Sequence, residues 1–175
     1  MSIYEINGKS PKIGETTYIH ETAQIIGDVI IGEECFIGAG AVLRGDFGSI
    51  RVGDRCSVQE SCTLHCRPGE KCVVGNDVTV GHGAVLHGCT VKDRTVIGMH
   101  AVVSDYATVG EDCIVGESSL VKSKQEIPAM SLAVGVPAVV KGALKDNQVA
   151  FKNAGQKAYV GLTKLYKTSA KKISD

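Results

Sequence analysis

Tryptophan is absent from this 175-residue chain, aromatic residues make up only 5% of it, and there are just four prolines. A chain so poor in large rings is not an ordinary globular composition, and it directs attention to internal repetition. Net charge is missing too, since 19 Lys and Arg balance 19 Asp and Glu. No global field would recruit nucleic acid or an anionic membrane surface, so neither is expected as a partner. No stretch is apolar enough to span a bilayer, and Met1-Ser2-Ile3-Tyr4-Glu5 has neither the basic opening nor the apolar run of a secretory signal. A cytoplasmic location is therefore expected. Seven cysteines are present, but the count is odd and no CxxC pair occurs. Free thiols are expected rather than a disulfide framework.

What the chain has instead is glycine, at 21 residues, and a strict period. Aliphatic residues recur every six positions through Ile19, Ile25, Ile31, Ile37 and Leu43, again through Val52, Val58 and Leu64, then Val74, Val80 and Leu86, and finally from Val91 by sixes to Val121. A small residue usually sits four places later; Cys35, Cys56, Cys62 and Cys113 do so, and Cys72 is read as a fifth small inward residue. Neither a two-residue strand alternation nor a 3.6-residue helix generates such a period. Each hexapeptide is a short strand and a corner, and three of them close a triangular coil of about eighteen residues. The expected fold is an all-β solenoid of stacked parallel strands spanning about residues 11–141, with Gly27-Asp28, Gly53-Asp54 and Gly75-Asn76-Asp77 at corners. After Val121 the repeat fades through two prolines, and the prism is expected to end there. Over 144–167 the spacing turns helical, with Val149, Ala150, Ala154, Ala158, Leu162, Leu165 and Tyr166 near one stripe. One amphipathic C-terminal α-helix packed on the prism or on a neighbour is predicted.

The period breaks at Leu43 to Val52, Leu64 to Val74 and Leu86 to Val91, and all three breaks flank His65, His82 and His87. His65 and His87 each follow the aliphatic residue of their hexapeptide and stand 22 residues apart, one coil plus a four-residue insertion. They should lie on one edge, one coil above the other, about 4.8 Å apart, which lets two ring nitrogens share an ion at roughly 2.0–2.1 Å. His82 belongs to another face and cannot reach that ion. Three prisms packed side by side would bring His82 of one chain to His65 and His87 of the next, so a homotrimer with three equivalent metal sites is expected. His20 and His100 read as surface or corner residues. Cys66 and Cys89 lie off the inward register near the histidines, and as metal ligands they are weaker candidates because ligating cysteines come in close pairs.

Arg44-Gly45-Asp46, Gln59, His65, Gly81-His82-Gly83-Ala84, His87-Gly88-Cys89 and Ile97-Gly98-Met99 together resemble the gamma-class carbonic anhydrases, from about Pro11 to the terminal helix. The resemblance implies a left-handed parallel β-helix, a homotrimer, and Zn²⁺ or Fe²⁺ held by His65, His82 and His87. It implies reversible hydration of CO₂ to bicarbonate by a metal-bound hydroxide, with Gln59 orienting the hydroxide, Glu60 beside it and Tyr159 brought near by the helix. It gives Arg44 and Asp46 an ion pair between subunits. The chain departs from the family in having Glu60 and Ser57 where Asp and Asn are common, Phe47 after Arg-Gly-Asp, and a short 66–72 loop where the best-known members carry acidic residues for proton export.

Gly135-Val136-Pro137-Ala138 resembles the ending of hexapeptide acyltransferases, which use one histidine as a general base without metal. An acyltransferase or thioesterase acting on an acyl-CoA is the alternative enzyme, and a non-catalytic metal-stabilised scaffold is the third reading.

Overall fold

A computed structural model describes residues 2–174. The chain winds into a triangular, left-handed β-helix with hexapeptide repeats and closes with a single C-terminal helix. One face carries seven parallel strands in axial order: Tyr18–Ile19, Phe36–Ile37, Ser57–Val58, Thr79–Val80, Val96–Ile97, Ile114–Val115 and Ser131–Val134. We call it the helix face, because Asp146–Ser169 packs against its first three strands. A second face, here the histidine face, stacks the first halves of Gln24–Ile31 and Val42–Val52 with Thr63–His65, Val85–His87, Val102–Val103 and Leu120–Val121. The third face stacks their second halves with Lys71–Val74, Thr90–Val91, Thr108–Val109 and Glu126–Ile127.

The six-residue period translates directly into axial stacks. Ile25, Leu43, Leu64, Leu86, Val103 and Val121 form one column, all fully buried. Ile37, Val58, Val80, Ile97 and Val115 form the column behind the helix face. A prism this narrow has no room for aromatic rings, which explains their scarcity. All seven cysteines are free and buried. Cys35, Cys56 and Cys113 donate their thiols to the carbonyls of Gly53, Gly75 and Pro128 at 3.1, 2.9 and 2.9 Å. Cys66 and Cys89 prove to be core residues as well. Burial pushes the Cys66 thiol up, and the adjoining Cys72 together with burial pushes Cys89 well up.

The ladder takes in more chain than the hexapeptide spacing indicates. Beyond Val121, where the repeat fades in the sequence, Glu126–Ile127 pairs with Thr108–Val109 and Ser131–Val134 with Ile114–Val115, within the 11–141 span expected of the solenoid. Val139–Ala143 then pairs antiparallel with Ser131–Val134. At the other end Ser2–Tyr4 lies along Gln24–Ile26 and Lys12–Ile13 along Ile30–Ile31. The prolines interrupt the period without stopping the stack, because Pro128 sits between two strands and needs no ladder hydrogen bond of its own.

Helix packing also differs from the expected aliphatic stripe. The residues that meet the prism are Lys152, Gln156, Tyr159, Thr163 and Tyr166, while Ala150, Ala154, Ala158 and Leu165 are exposed. Tyr159 and Tyr166 stand edge-on to Phe36, each with ring centroids 5.5 Å away. Gln148 Oε1 accepts the Lys145 N–H at 2.8 Å, closing the first turn. Lys152 is buried, and its ammonium donates to Asp112 Oδ1 at 2.9 Å. Burial alone would raise the Asp112 pKa, but hydrogen bonds from Arg94 and Lys152 outweigh it and hold the carboxyl below its usual value. That pairing therefore stabilises the fold at neutral pH and is lost as pH falls below about 4. Asp112→Asn is expected to cost about 3 kcal/mol or more, because it strands a buried ammonium. Amide hydrogen exchange across 146–169 should show the helix loosened, and unchanged protection would refute this.

Candidate functional site

Two groups of polar side chains project from the prism, one from the histidine face and one from the corner after the helix face. His65 and His87 end neighbouring strands in direct register. His65 Nδ1 lies 3.2 Å from His87 Nε2, with ring centroids 5.2 Å apart. The outer nitrogen of each ring is already committed: His65 Nε2 to Asp46 Oδ1 at 3.1 Å and His87 Nδ1 to Asp105 Oδ1 at 2.6 Å. The carboxylates have guanidinium partners, Arg44 on Asp46 at 2.7 Å and Arg67 on Asp105 at 2.9 Å. For Asp46 and Asp105 burial works upward, but these hydrogen bonds outweigh it and hold both carboxyls below the usual range. Burial also lowers the His65 pKa against the pull of Asp46, favouring the neutral ring. With both outer N–H groups donating to carboxylates, the inner nitrogens turn two lone pairs toward each other. Such an arrangement asks for a proton or a cation between them, and carboxylates behind imidazoles are how metal-binding histidines are oriented. The donor set fits a divalent cation as far as two ligands.

A third ligand does not come from the same chain: no cluster of three His, Cys, Asp or Glu able to hold a metal occurs among the described residues. His82 follows the Thr79–Val80 strand of the helix face, at the corner leading to the histidine face. Its Nδ1 stands 2.6 Å from Glu60 Oε2, a close approach off the hydrogen-bond axis. Gln59, which is buried, accepts the His82 backbone N–H on Oε1 at 3.2 Å. In this chain Gln59 thus braces His82, where the resemblance gives it a hydroxide to orient. Arg44 and Asp46 pair with each other within the chain. The Phe47 ring covers His65 at 5.6 Å and takes the Arg44 guanidinium on its face at 5.7 Å.

His82 and Gln59 open onto a cavity of about 720 Å³ between the prism and the terminal helix, lined also by Met99, Val134, Phe151 and Tyr159. Burial, then the charge of Glu60, pushes the Tyr159 hydroxyl pKa up, so the phenol stays protonated. The eight residues singled out in the sequence accordingly fall into two sets: Arg44, Asp46, His65 and His87 on the histidine face, and Gln59, His82 and Tyr159 at the cavity with Glu60 beside His82. Asp105 and Arg67 were missed. Asp105 stands 18 residues after His87, one plain coil, so the period itself would have found it.

Residues 10–45 match the family described as bacterial transferase hexapeptide (six repeats). The carnitine operon protein CaiE of Escherichia coli O157:H7 is 35% identical over 162 residues, covering 93% of this chain and 83% of CaiE. The chain belongs to the hexapeptide-repeat transferase family. Two solved structures of hexapeptide-repeat transferase type carry the likeness over nearly the whole length. The BC4754 gene product of Bacillus cereus, named as a candidate acetyltransferase, is 37% identical with a TM-score of 0.95, over 97% of this chain and 98% of that one. A hexapeptide transferase family protein from Anaplasma phagocytophilum is 30% identical with a TM-score of 0.91, over 94% and 98%. None of the three is named a carbonic anhydrase, so the narrower resemblance gives way to the hexapeptide-repeat transferase family as a whole.

Proposed function

We propose that this chain is a homotrimeric acyl-transfer enzyme, an acyltransferase or thioesterase, acting on an acyl thioester of the coenzyme A type in the cytoplasm. The observation that carries the reading is the His82–Glu60 pair at the mouth of the cavity. A histidine with one nitrogen beside a carboxylate and the other directed to a substrate pocket is the arrangement of a general base. His82 takes the proton from an attacking hydroxyl, amine or water as that group adds to the thioester carbonyl. The C–S bond then breaks, and the departing thiolate takes the proton back from the imidazolium. Glu60 stabilises the imidazolium between the two steps. The amide N–H₂ of Gln59 and the Tyr159 hydroxyl supply donors for the developing oxyanion. The trimer is supported by the outward row Val42, Val85, Val102 and Leu120 on the histidine face, half-buried aliphatics beside a site that lacks its third ligand. Seven free thiols suit a reducing compartment.

The facing nitrogens of His65 and His87 favour a second reading, hydration of CO₂ in the manner of a gamma-class carbonic anhydrase. In it Zn²⁺ or Fe²⁺ would be held by His65, His87 and His82 of the partner subunit, and would supply Lewis-acid activation of water. The two readings use His82 in opposite ways, which makes them separable. Purified protein assayed with a panel of acyl-CoA thioesters, with and without amine and alcohol acceptors, is expected to release free thiol; no turnover of any thioester alongside CO₂ hydration would overturn the first reading. If neither reaction proceeds, a scaffold remains. The second reading makes its own prediction: trimers mixed from His82→Ala and His87→Ala chains should regain about a quarter of the metal sites, the fraction of neighbour pairs combining the intact halves. No regain after verified subunit exchange would exclude it.

A further inference from the structure

From the position of the cavity we infer that it is an acyl-chain groove, built to take a straight, medium-length aliphatic acyl group along the prism axis, and that Gly155 keeps it open to that group. This rests on the acyl-transfer reading of His82. One wall is formed by outward residues of successive coils, Val96 and Met99, then Ile114, then Leu132 and Val134, and the other by one face of the terminal helix with Phe151 and Gly155. From the coil of Thr79 and His82 to that of Leu132 are three steps of about 4.8 Å, so the groove runs for roughly 14 Å. A fully extended chain advances about 1.2 Å per bond, so some ten to twelve atoms fit.

The walls choose the occupant. They are aliphatic along the coils, and the charged groups at the rim are acidic: Glu117 lines the groove and Glu60 stands beside His82. Lys152 lines it too, but its ammonium is spent on Asp112. A polyphosphorylated nucleotide would meet carboxylates here, whereas a neutral hydrocarbon would not, so the acyl end of the thioester goes in and the nucleotide stays out. His82 stands at one end, where the carbonyl of a chain threaded from that side comes to rest. Gly155 is the opening in the helix wall: a Cβ added there would meet nothing within 4 Å. In mid-helix that glycine costs roughly 1 kcal/mol relative to alanine, and its return is space in the groove.

The test uses the intact protein with straight-chain acyl-CoA thioesters from acetyl to dodecanoyl. For the native chain kcat/KM is expected to rise by about 4-fold per methylene until the groove is full. Gly155→Phe is expected to lower the decanoyl-to-acetyl ratio of kcat/KM by at least 10-fold, with helix content checked by circular dichroism. Phe151→Ala, at a side chain 80% exposed and so safe for folding, should lower the same ratio by removing one wall. Thioester turnover that is indifferent to chain length, or a ratio unmoved in Gly155→Phe, would overturn the groove while leaving the acyl-transfer reading standing. Absence of turnover at every length would overturn the acyl-transfer reading, and the groove with it.

Discussion

His82→Ala is expected to lower kcat for thioester turnover by about 10²- to 10⁴-fold, the range over which a positioned general base contributes. The variant should fold, because the imidazole is about half exposed and its contribution to the prism is a backbone N–H, held by Gln59, that alanine keeps. Glu60→Gln should give a smaller loss, since it leaves the base in place and removes only the charge that steadies the imidazolium. His87→Ala provides the contrast. If His82 acts as a base, losing His87 removes a group on the histidine face that does not touch the acyl carbonyl, and the rate falls far less. If the three histidines serve one cation, His87→Ala and His82→Ala fail together. Steady-state kinetics on both variants decides it, and equal losses would refute the assignment of His82 as base.

Gly45→Ala is expected to destabilise the protein by about 3 kcal/mol or more through overpacking, lowering Tm by roughly 6–12 °C for a chain of this size. The added Cβ would sit 2.5 Å from Asp28 O, 2.8 Å from Asp28 C and 3.2 Å from Asp28 N. All three are main-chain atoms of the adjoining coil and cannot swing aside, so the two coils must part where Asp46 leaves to meet His65. Gly155→Ala is the reverse case: its space is open, and replacing a mid-helix glycine should raise stability by up to about 1 kcal/mol. Thermal denaturation of the two variants side by side tests the pair, and a Gly45→Ala protein as stable as the parent would show that the coils yield more easily than their backbone contacts indicate.

What could be read in the sequence was what repeats locally. The stack of Leu43, Leu64 and Leu86 follows from the six-residue step, and the pairing of His65 with His87 follows from counting one coil plus an insertion. Asp105 obeyed the same count and was overlooked because aspartates also populate corners for reasons of turn geometry. The N-terminal end of the solenoid was not legible: Ser2–Tyr4 precedes the first hexapeptide of the period, and the Asn7-Gly8 turn after it stands outside the six-residue frame. The helix face that packs was misread because it docks through Lys152, Gln156 and Thr163, whose attachment depends on Asp112, Asp77 and other groups far away in sequence. The cavity was invisible for the same reason, as its two walls come from coils and a helix that no local pattern links. The histidine spacing points to one branch of these proteins, and the names of the relatives to the wider family.

The terminal helix also changes what kind of object the solenoid is. A stack of coils in which each touches only its neighbours is a one-dimensional chain of contacts, free to fray from either end. Here the helix leaves the last coil after Ala143 and runs back until Lys167 bonds the Thr17 carbonyl at 3.1 Å and Tyr166 meets Tyr18 with ring centroids 5.1 Å apart, both in the first coil. First and last coils are thereby tied to each other, and the line of contacts becomes a closed circuit. A coil at either end cannot peel away without releasing the strap, so melting by successive loss of outer coils gives way to a single transition shared by the whole molecule.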